Sequence, residues 1–387
     1  MRERYDVVIV GGAVIGSSIA YFLTHDLAFG GTVAVIERDP TYARAATTLS
    51  AGSIRQQFST PENIRMSRFA LSFFRELETR FGAGTDIGFR PGGYLLLAPS
   101  SGRAALAANC ALQGAEGADV ALLEPDELKQ KFPWLRTDDL GAGTLGRSGE
   151  GWFDAYSLLA LLRRAARASG VDFIAGTVSG IERGRNRVEA VRLADGSRIA
   201  CGVLVNAAGP QAGDVAALAG VTLPVEPRKR CVFVVACRAA LPAMPLLVDV
   251  TGTWIRPEGE VYICGAPPPD DPRADDFTVD YALFGEIIWP ALAHRIPAMA
   301  TLKLARAWAG HYEFNTFDQN AIVGPHPELA NLIFANGFSG HGLQHAPAVG
   351  RAVAELIVHG RYISLDLGVF AYDRIAAGHP VREQNVI

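Results

Sequence analysis

The chain has 387 residues, 49% of them hydrophobic and 20% charged, with a formal net charge of -4. That length admits two domains with full cores, the composition is that of an ordinary globular protein, and the acidic balance leaves no basic footprint for nucleic acid. No apolar run reaches the length that spans a bilayer, and because the first strand begins by Tyr5 the expectation from this sequence is no secretory or mitochondrial leader. The five cysteines, Cys110, Cys201, Cys231, Cys237 and Cys264, are odd in number and contain no C-x-x-C pair or zinc spacing. They read as reduced core thiols, and the expectation is a cytoplasmic protein with no metal site.

The N-terminus reads YDVVIVGGAVIG. Val7 to Val10 form a β-branched run suited to a strand buried on both faces. Gly11, Gly12 and Gly16 then frame a tight turn into a helical stretch, Val14 to Leu23, and a second strand, Thr32 to Ile36, ends in Glu37. This layout is that of a dinucleotide site: backbone N–H groups meet a pyrophosphate at a helix N-terminus, and an acid roughly 20 residues on accepts the ribose hydroxyls. Ala13 stands where such turns carry the glycine that lets backbone and pyrophosphate approach closely.

Small and hydroxyl residues from Ala45 to Ser53 suit a loop wrapped around a pyrophosphate or a flavin edge, with an ordinary surface loop as the alternative. Arg55 leads from it to an amphipathic helix, Pro61 to Phe81, whose aromatics read as core. Phe89 to Pro99 and Ala118 to Leu123 read as strands, and Arg103 to Gly117 and Pro125 to Phe132 as helices, in a block outside the nucleotide domain. A helix from Ala155 to Ser169 is followed by strands at Val171 to Ala175 and Val178 to Glu182, then a hairpin about Asp195-Gly196. Val203 to Val205 reads as a further buried strand, ending in Asn206-Ala-Ala-Gly209 before a helix at Asp214 to Ala219. Arg228, Lys229 and Arg230 precede a strand from Cys231 to Cys237, and Leu246 to Val250, Thr253 to Pro257 and Glu260 to Gly265 alternate like an antiparallel sheet. A proline-rich loop, Pro267 to Asp276, leads to a helix at Val279 to Arg295. Strand ends at Asn320 to Gly324 and Leu332 to Ala335 precede NGFSGHGLQ and a helix from Pro347 to His359; such a helix start suits an anionic group.

In this order, the glycine turn, Glu37-Arg38, the ATTLSAG loop, LVNAAG and GFSGHGLQ resemble the FAD-dependent amine oxidoreductases, the family of D-amino acid, glycine and sarcosine oxidases. The resemblance implies an α/β fold (α+β overall): a Rossmann-like FAD-binding domain of discontinuous segments, 1–88, 151–220 and 321–387, and a substrate domain, 89–150 and 221–320, with an antiparallel sheet and helices. Carried over by position, it implies FAD contacts at Gly11, Gly12, Ala13, Val14, Ile15, Gly16, Glu37, Arg38, Thr48, Ser50, Ala51, Gly52, Val178, Ala208, Gly209, Gly340, His341, Gly342, Leu343 and Gln344. Some sarcosine oxidases hold their flavin through a cysteine near the stretch matching Trp308 to Tyr312; none is present here, so FAD is expected to be non-covalent. Where those enzymes place a substrate-binding lysine, this chain has Gln344.

A substrate carboxylate calls for arginine, which binds it bidentately. The candidates are Arg55, Arg230 and Arg256, the last sharing a strand face with Trp254; His311 and Tyr312 are candidates to hydrogen-bond the amine, and each has a plain structural alternative. The expected activity is oxidation of a secondary or N-substituted amino acid, of the sarcosine, N-alkylglycine or iminodiacetate type, by hydride transfer from the α C–H to flavin N5. Its imine product hydrolyses to an amine and an aldehyde acid such as glyoxylate, with O2 or an electron carrier as acceptor. Two alternatives stay open: a D-amino acid or proline-type dehydrogenase, and a non-enzymatic, FAD-stabilised assembly factor for a respiratory complex.

Overall fold

The computed structural model describes residues 2–384. Its architecture is mixed α/β, built on two eight-stranded sheets. The first strand, β1 (Arg4–Val10), lies at the centre of the first sheet, parallel to Arg198–Asn206 on one side and to β2 (Val33–Glu37) on the other. Leu332–Asn336 continues the parallel set beyond Arg198–Asn206, Asp172–Ala175 continues it beyond β2, and Ile322–Pro325 closes one edge antiparallel. Val7, Val8 and Ile9 are fully buried, as a strand covered on both faces requires. One of those faces is covered by the helix α1 (Val14–Tyr21), which packs against Gly342–His359 and Ala155–Ala168. This arrangement is Rossmann-like, with the glycine turn at the carboxyl ends of the parallel strands, where open α/β sheets bind their ligands.

The second sheet runs in the order Lys303–Asn315, Val225–Ala236, Val261–Gly265, Trp254–Glu258, Leu246–Val248, Tyr94–Ala98, Ala142–Gly146, Val120–Leu123. Its neighbours are antiparallel except for one parallel pair, Leu246–Val248 with Tyr94–Ala98, which joins strands from distant parts of the chain. Helical turns over 281–301 cover one face with Leu283, Phe284, Ile288, Leu292 and Met299.

Several boundaries differ from the sequence expectation. Val203 to Val205 is no separate strand: Arg198–Asn206 is continuous, its first half pairing antiparallel within the hairpin and its length pairing parallel with β1. Arg228, Lys229 and Arg230 lie within the strand Val225–Ala236, because it pairs with Lys303–Asn315 in unbroken register from Val225 to Val234, shifting only between Val234 and Val235. The helix expected over 61–81 is interrupted at Glu76, where the backbone turns to φ -100° and ψ 6°. The last long helix begins at Gly342 and carries Pro347 inside it; Leu343, Gln344 and His345 are buried and extend its packed face toward the loop. Ala142–Gly146 has weak strand propensity, yet it is fully buried between two neighbours.

All five cysteines are free, and among the described residues no helix is long and apolar enough to cross a membrane.

Arg295 is fully buried beneath the second sheet; Nε donates to Asp249 Oδ1 at 2.5 Å, and Nη1 and Nη2 donate to Asp139 at 2.7 and 2.9 Å. Asp249 is itself buried. Removing one partner of such a pair strands the other, at a cost of about 3–5 kcal/mol. Arg295→Ala is therefore expected to lower the free energy of unfolding by that amount in a denaturant titration, and the Arg295→Ala/Asp249→Leu pair to recover part of it.

Candidate active site

One cavity runs from the glycine turn to the inner face of the second sheet. Its floor is fixed by Gly11. At φ +99° the residue is in glycine's territory, and a Cβ there would lie 2.2 Å from the Ala207 carbonyl oxygen. Ala13 also lines the cavity, but its backbone is extended (φ -68°, ψ -164°), so its methyl group is accommodated without strain. No side chain of α1 caps its start; instead Thr47 reaches in, its Oγ1 accepting from Val14 N–H at 3.3 Å. The 45–53 loop is thereby docked on the helix N-terminus. Glu37 stands at the end of β2, accepting from Gly12 N–H at 2.8 Å and from Asp39 N–H at 2.9 Å.

The far end is built around Arg55, which is only 7% exposed and lines the cavity. Its backbone N–H donates to Gln344 Oε1 at 2.7 Å, and Nη2 donates to His341 Nε2 at 3.0 Å. Burial, then the Arg55 charge, pushes the His341 ring down to about 3. The imidazole is neutral, which leaves Nε2 free to accept. The guanidinium lies 4.4 Å from the Phe58 ring centroid and 5.9 Å from that of Tyr94. Its Nη1 is buried with no hydrogen-bond partner among the described residues, and no carboxylate there forms an ion pair with it.

The other two candidate arginines differ. Arg230 lines the cavity, but both Nη atoms bind Asp271, at 2.6 and 2.7 Å. Arg256 does not line it: Nε and Nη2 donate to the Ala51 carbonyl at 3.0 and 2.6 Å, and Nη1 to the Pro257 carbonyl and to Glu258. Its guanidinium thus holds the 45–53 loop from outside, and its partner on the strand face, Trp254, is the one that reaches the cavity. His311 lines the wall with its Nε2 engaged by the Asp276 carbonyl at 2.8 Å, while Tyr312 is 36% exposed and packs against Gly340. Gly11, Ala13, Val14, Ile15, Glu37, Arg38, Ser50, Ala51, Ala208, Gly209 and Gly340 to Gln344 all line the cavity. Gly12, Gly16, Thr48 and Gly52 lie immediately behind in the same turns, whereas Val178 sits on the Val178–Arg183 strand, paired with Leu193, and does not line it.

Several lining residues were not assigned a role from the sequence, among them Tyr42, Tyr94, Ser339 and Glu313. Tyr42 holds φ +58° and packs under Arg163, whose guanidinium lies 4.8 Å from its ring. Tyr94 stands beside Arg55. Ser339, at φ +49°, ties the loop to the strand end by accepting from Asn315 N–H at 3.0 Å. Glu313 accepts from Gly337 N–H at 3.2 Å and is pushed up to about 8 by burial. Only Glu313 left a signal, as a lone acid among the apolar residues of HYEF.

The residues fit a dinucleotide: a glycine floor that a Cβ would fill, a carboxylate at the end of the second strand, and a buried Thr48 Oγ1, without a partner among the described residues, in the loop docked on the helix. Comparison with known proteins agrees. The chain matches the family described as DAO, FAD dependent oxidoreductase, over residues 6–356, which makes FAD the cofactor. It is 43% identical to FAD-dependent oxidoreductase domain-containing protein 1 of Xenopus laevis, over 100% of this chain and 85% of that one. It is 29% identical to the mitochondrial sarcosine dehydrogenase of Mus musculus, over 92% of this chain and 40% of that protein. It also superposes on the L-proline dehydrogenase of P. horikoshii with a TM-score of 0.87 at 26% identity, covering 98% of this chain and 100% of that one.

Two predictions follow from the geometry. Replacing Glu37 by Ala removes the acceptor at the end of β2, and FAD affinity, read by fluorescence on dilution, is expected to fall about 10- to 100-fold, as for loss of one or two charged hydrogen bonds. Glu313, raised from 4.5 to about 8, binds a proton more tightly in the folded state than in the unfolded one. Its contribution to stability is complete below about 4.5 and is lost as pH rises toward 8. Glu313→Gln is expected to flatten the fall of Tm between those values, by at most about 1.4 kcal/mol per pH unit.

Proposed function

This chain belongs to the DAO family of FAD-dependent oxidoreductases, and from that premise we propose that it oxidises a secondary or N-substituted amino acid, of the N-methylglycine type, at its α C–N bond. The observation that carries the reading is Arg55, which lines the cofactor cavity and keeps a buried Nη1 without a partner among the described residues. A buried charge without a partner is costly, and a carboxylate is the partner that a planar guanidinium binds best. Of the three candidate arginines, Arg55 alone has a buried nitrogen without a partner among the described residues and no carboxylate of the chain paired to it, which favours a substrate with one carboxylate. The names of two relatives, a sarcosine dehydrogenase and an L-proline dehydrogenase, support a secondary amino acid as substrate.

FAD, when bound, supplies the acceptor for the hydride equivalent that leaves the α carbon. The chain's own residues do the positioning. The Gly11–Gly16 turn and Glu37 would hold the pyrophosphate and ribose, and the 47–52 and 339–344 loops would hold the ring system between them. Arg55 would grip the substrate carboxylate. Gln344, donating no charge where a lysine would place one, leaves that grip to Arg55 and orients its backbone. The neutral His341 holds the guanidinium from its other side and adds no positive charge near the amine, so a neutral substrate nitrogen is not disfavoured. Leu246, Val248 and Trp254 close the wall against water. The oxidised product is an imine; water adds to it and gives an amine and an aldehyde acid, such as glyoxylate, and the electrons pass to O2 or to an electron carrier.

Arg55→Met tests this directly. Losing a charged pair of hydrogen bonds, worth about 1.5–3 kcal/mol, is expected to raise the N-methylglycine concentration for half-maximal flavin reduction about 10- to 100-fold, with FAD retained. An unchanged concentration dependence would remove Arg55 from substrate binding.

A further inference from the structure

We propose that Asp271 is a specificity-determining residue: it occupies the Arg230 guanidinium from behind the cavity wall, so that the pocket grips one substrate carboxylate and not two. The proposal rests on the amine-oxidation reading above and adds to it the class of substrate that the wall rejects.

Arg230 projects from Val225–Ala236 beside Tyr312 and lines the same cavity as Arg55. Its guanidinium lies 4.9 Å from the Tyr312 ring centroid, and that ring packs against Gly340, next to the His341 that holds Arg55. The two arginines therefore line one continuous cavity, with Tyr312 against Arg230. Arg230 differs in having its partner built in. Nη1 and Nη2 donate to the two oxygens of Asp271 at 2.6 and 2.7 Å, and Nη1 also donates to the Lys229 carbonyl at 2.9 Å. This end-on, bidentate geometry is the one by which an arginine takes a ligand carboxylate. Asp271 thus stands in for a second carboxylate of the substrate. A free dicarboxylate has to displace a group already tethered at high effective concentration, and an intruding negative charge beside Asp271 is repelled.

Asp271 belongs to the proline-rich loop 267–276, which has other anchors. Lys229 Nζ contacts Asp276 at 3.1 Å, Arg273 Nη2 contacts Asp214 at 2.9 Å, the Ala274 N–H donates to the Pro227 carbonyl at 3.0 Å, and His311 donates to the Asp276 carbonyl. The loop does not depend on Asp271 for its place, so Asp271→Asn removes a charge without releasing the segment.

The test uses the FAD-loaded protein and inert ligands, acetate against malonate, succinate and glutarate, with binding read from the perturbed flavin spectrum and from the ligand-induced shift in Tm. The wild type is expected to bind its best dicarboxylate no more than about 3-fold tighter than acetate. Asp271→Asn is expected to tighten that dicarboxylate at least about 10-fold, equivalent to about 1.4 kcal/mol, with acetate unchanged, and adding Arg230→Met is expected to abolish the gain. No gain in Asp271→Asn, or a gain that survives Arg230→Met, overturns the proposal. Arg230→Met alone decides the matter should Asp271→Asn fail to fold: acetate and dicarboxylate affinities unchanged support it, and a 10-fold or greater loss, on the same scale, shows that Arg230 already holds a ligand and overturns it. N-methylglycine and iminodiacetate are added to the same proteins. Absence of flavin reduction by both, with the dicarboxylate gain present, sinks the amine-oxidation reading and leaves the role of Asp271 standing.

Discussion

The approach of Gly11 to the end of the neighbouring strand is the constraint on which the rest of the molecule is built. Its α carbon faces the Ala207 carbonyl so closely that a Cβ would lie 2.2 Å from the oxygen, and Gly16 lies as close to Gly11, with a Cβ position 1.9 Å from the Gly11 carbonyl oxygen. Two side chains are missing where β1, Arg198–Asn206 and α1 converge, and their absence lets the helix start on the sheet. From that start α1 packs against Ala155–Ala168 and Gly342–His359, and the first turn of the latter carries Gln344 to the backbone of Arg55. Cofactor turn and candidate substrate arginine are thus two ends of one packed layer.

Electrostatics at the second end follow from burial. Arg55, Glu150 and Glu313 are buried and His341 is half-buried, and the neutral form of each titrating group is favoured: Glu150 rises to about 7, Glu313 to about 8, and His341 falls to about 3. The arginine cannot neutralise in this way. It is left as a fixed positive charge on the cavity wall with no acidic partner among the described residues, softened by the Phe58 ring and by a neutral histidine. Arg230 and Arg295 show the contrasting solution, in which a buried or half-buried guanidinium is matched by aspartates from elsewhere in the chain.

What the sequence made legible was local. A β-branched run, a glycine turn and an acid at the end of the next strand sit within 37 residues and meet in the structure as the spacing predicts. The loop from Ala45 to Ser53 was readable from its small and hydroxyl residues. What escaped depends on partners far away in the chain. Three arginines look alike in the sequence; the difference among them lies in Asp271, 41 residues from Arg230, and in the Ala51 carbonyl, 205 residues from Arg256. Ala142–Gly146 is a strand because its neighbours pair with it, against its own propensity. Tyr42 and Ser339 hold backbone angles that are uncommon for side-chain-bearing residues, a choice made by the cavity wall that they form.

The measurement that tests the account most directly is an anaerobic titration of the FAD-loaded protein with N-methylglycine, N-ethylglycine and proline, set beside dimethylamine, which has the secondary nitrogen and lacks the carboxylate. The account predicts loss of the flavin band near ~450 nm with at least one of the three amino acids and none with dimethylamine. Bound FAD that stays oxidised in all three, or that is reduced equally well by dimethylamine, would contradict it.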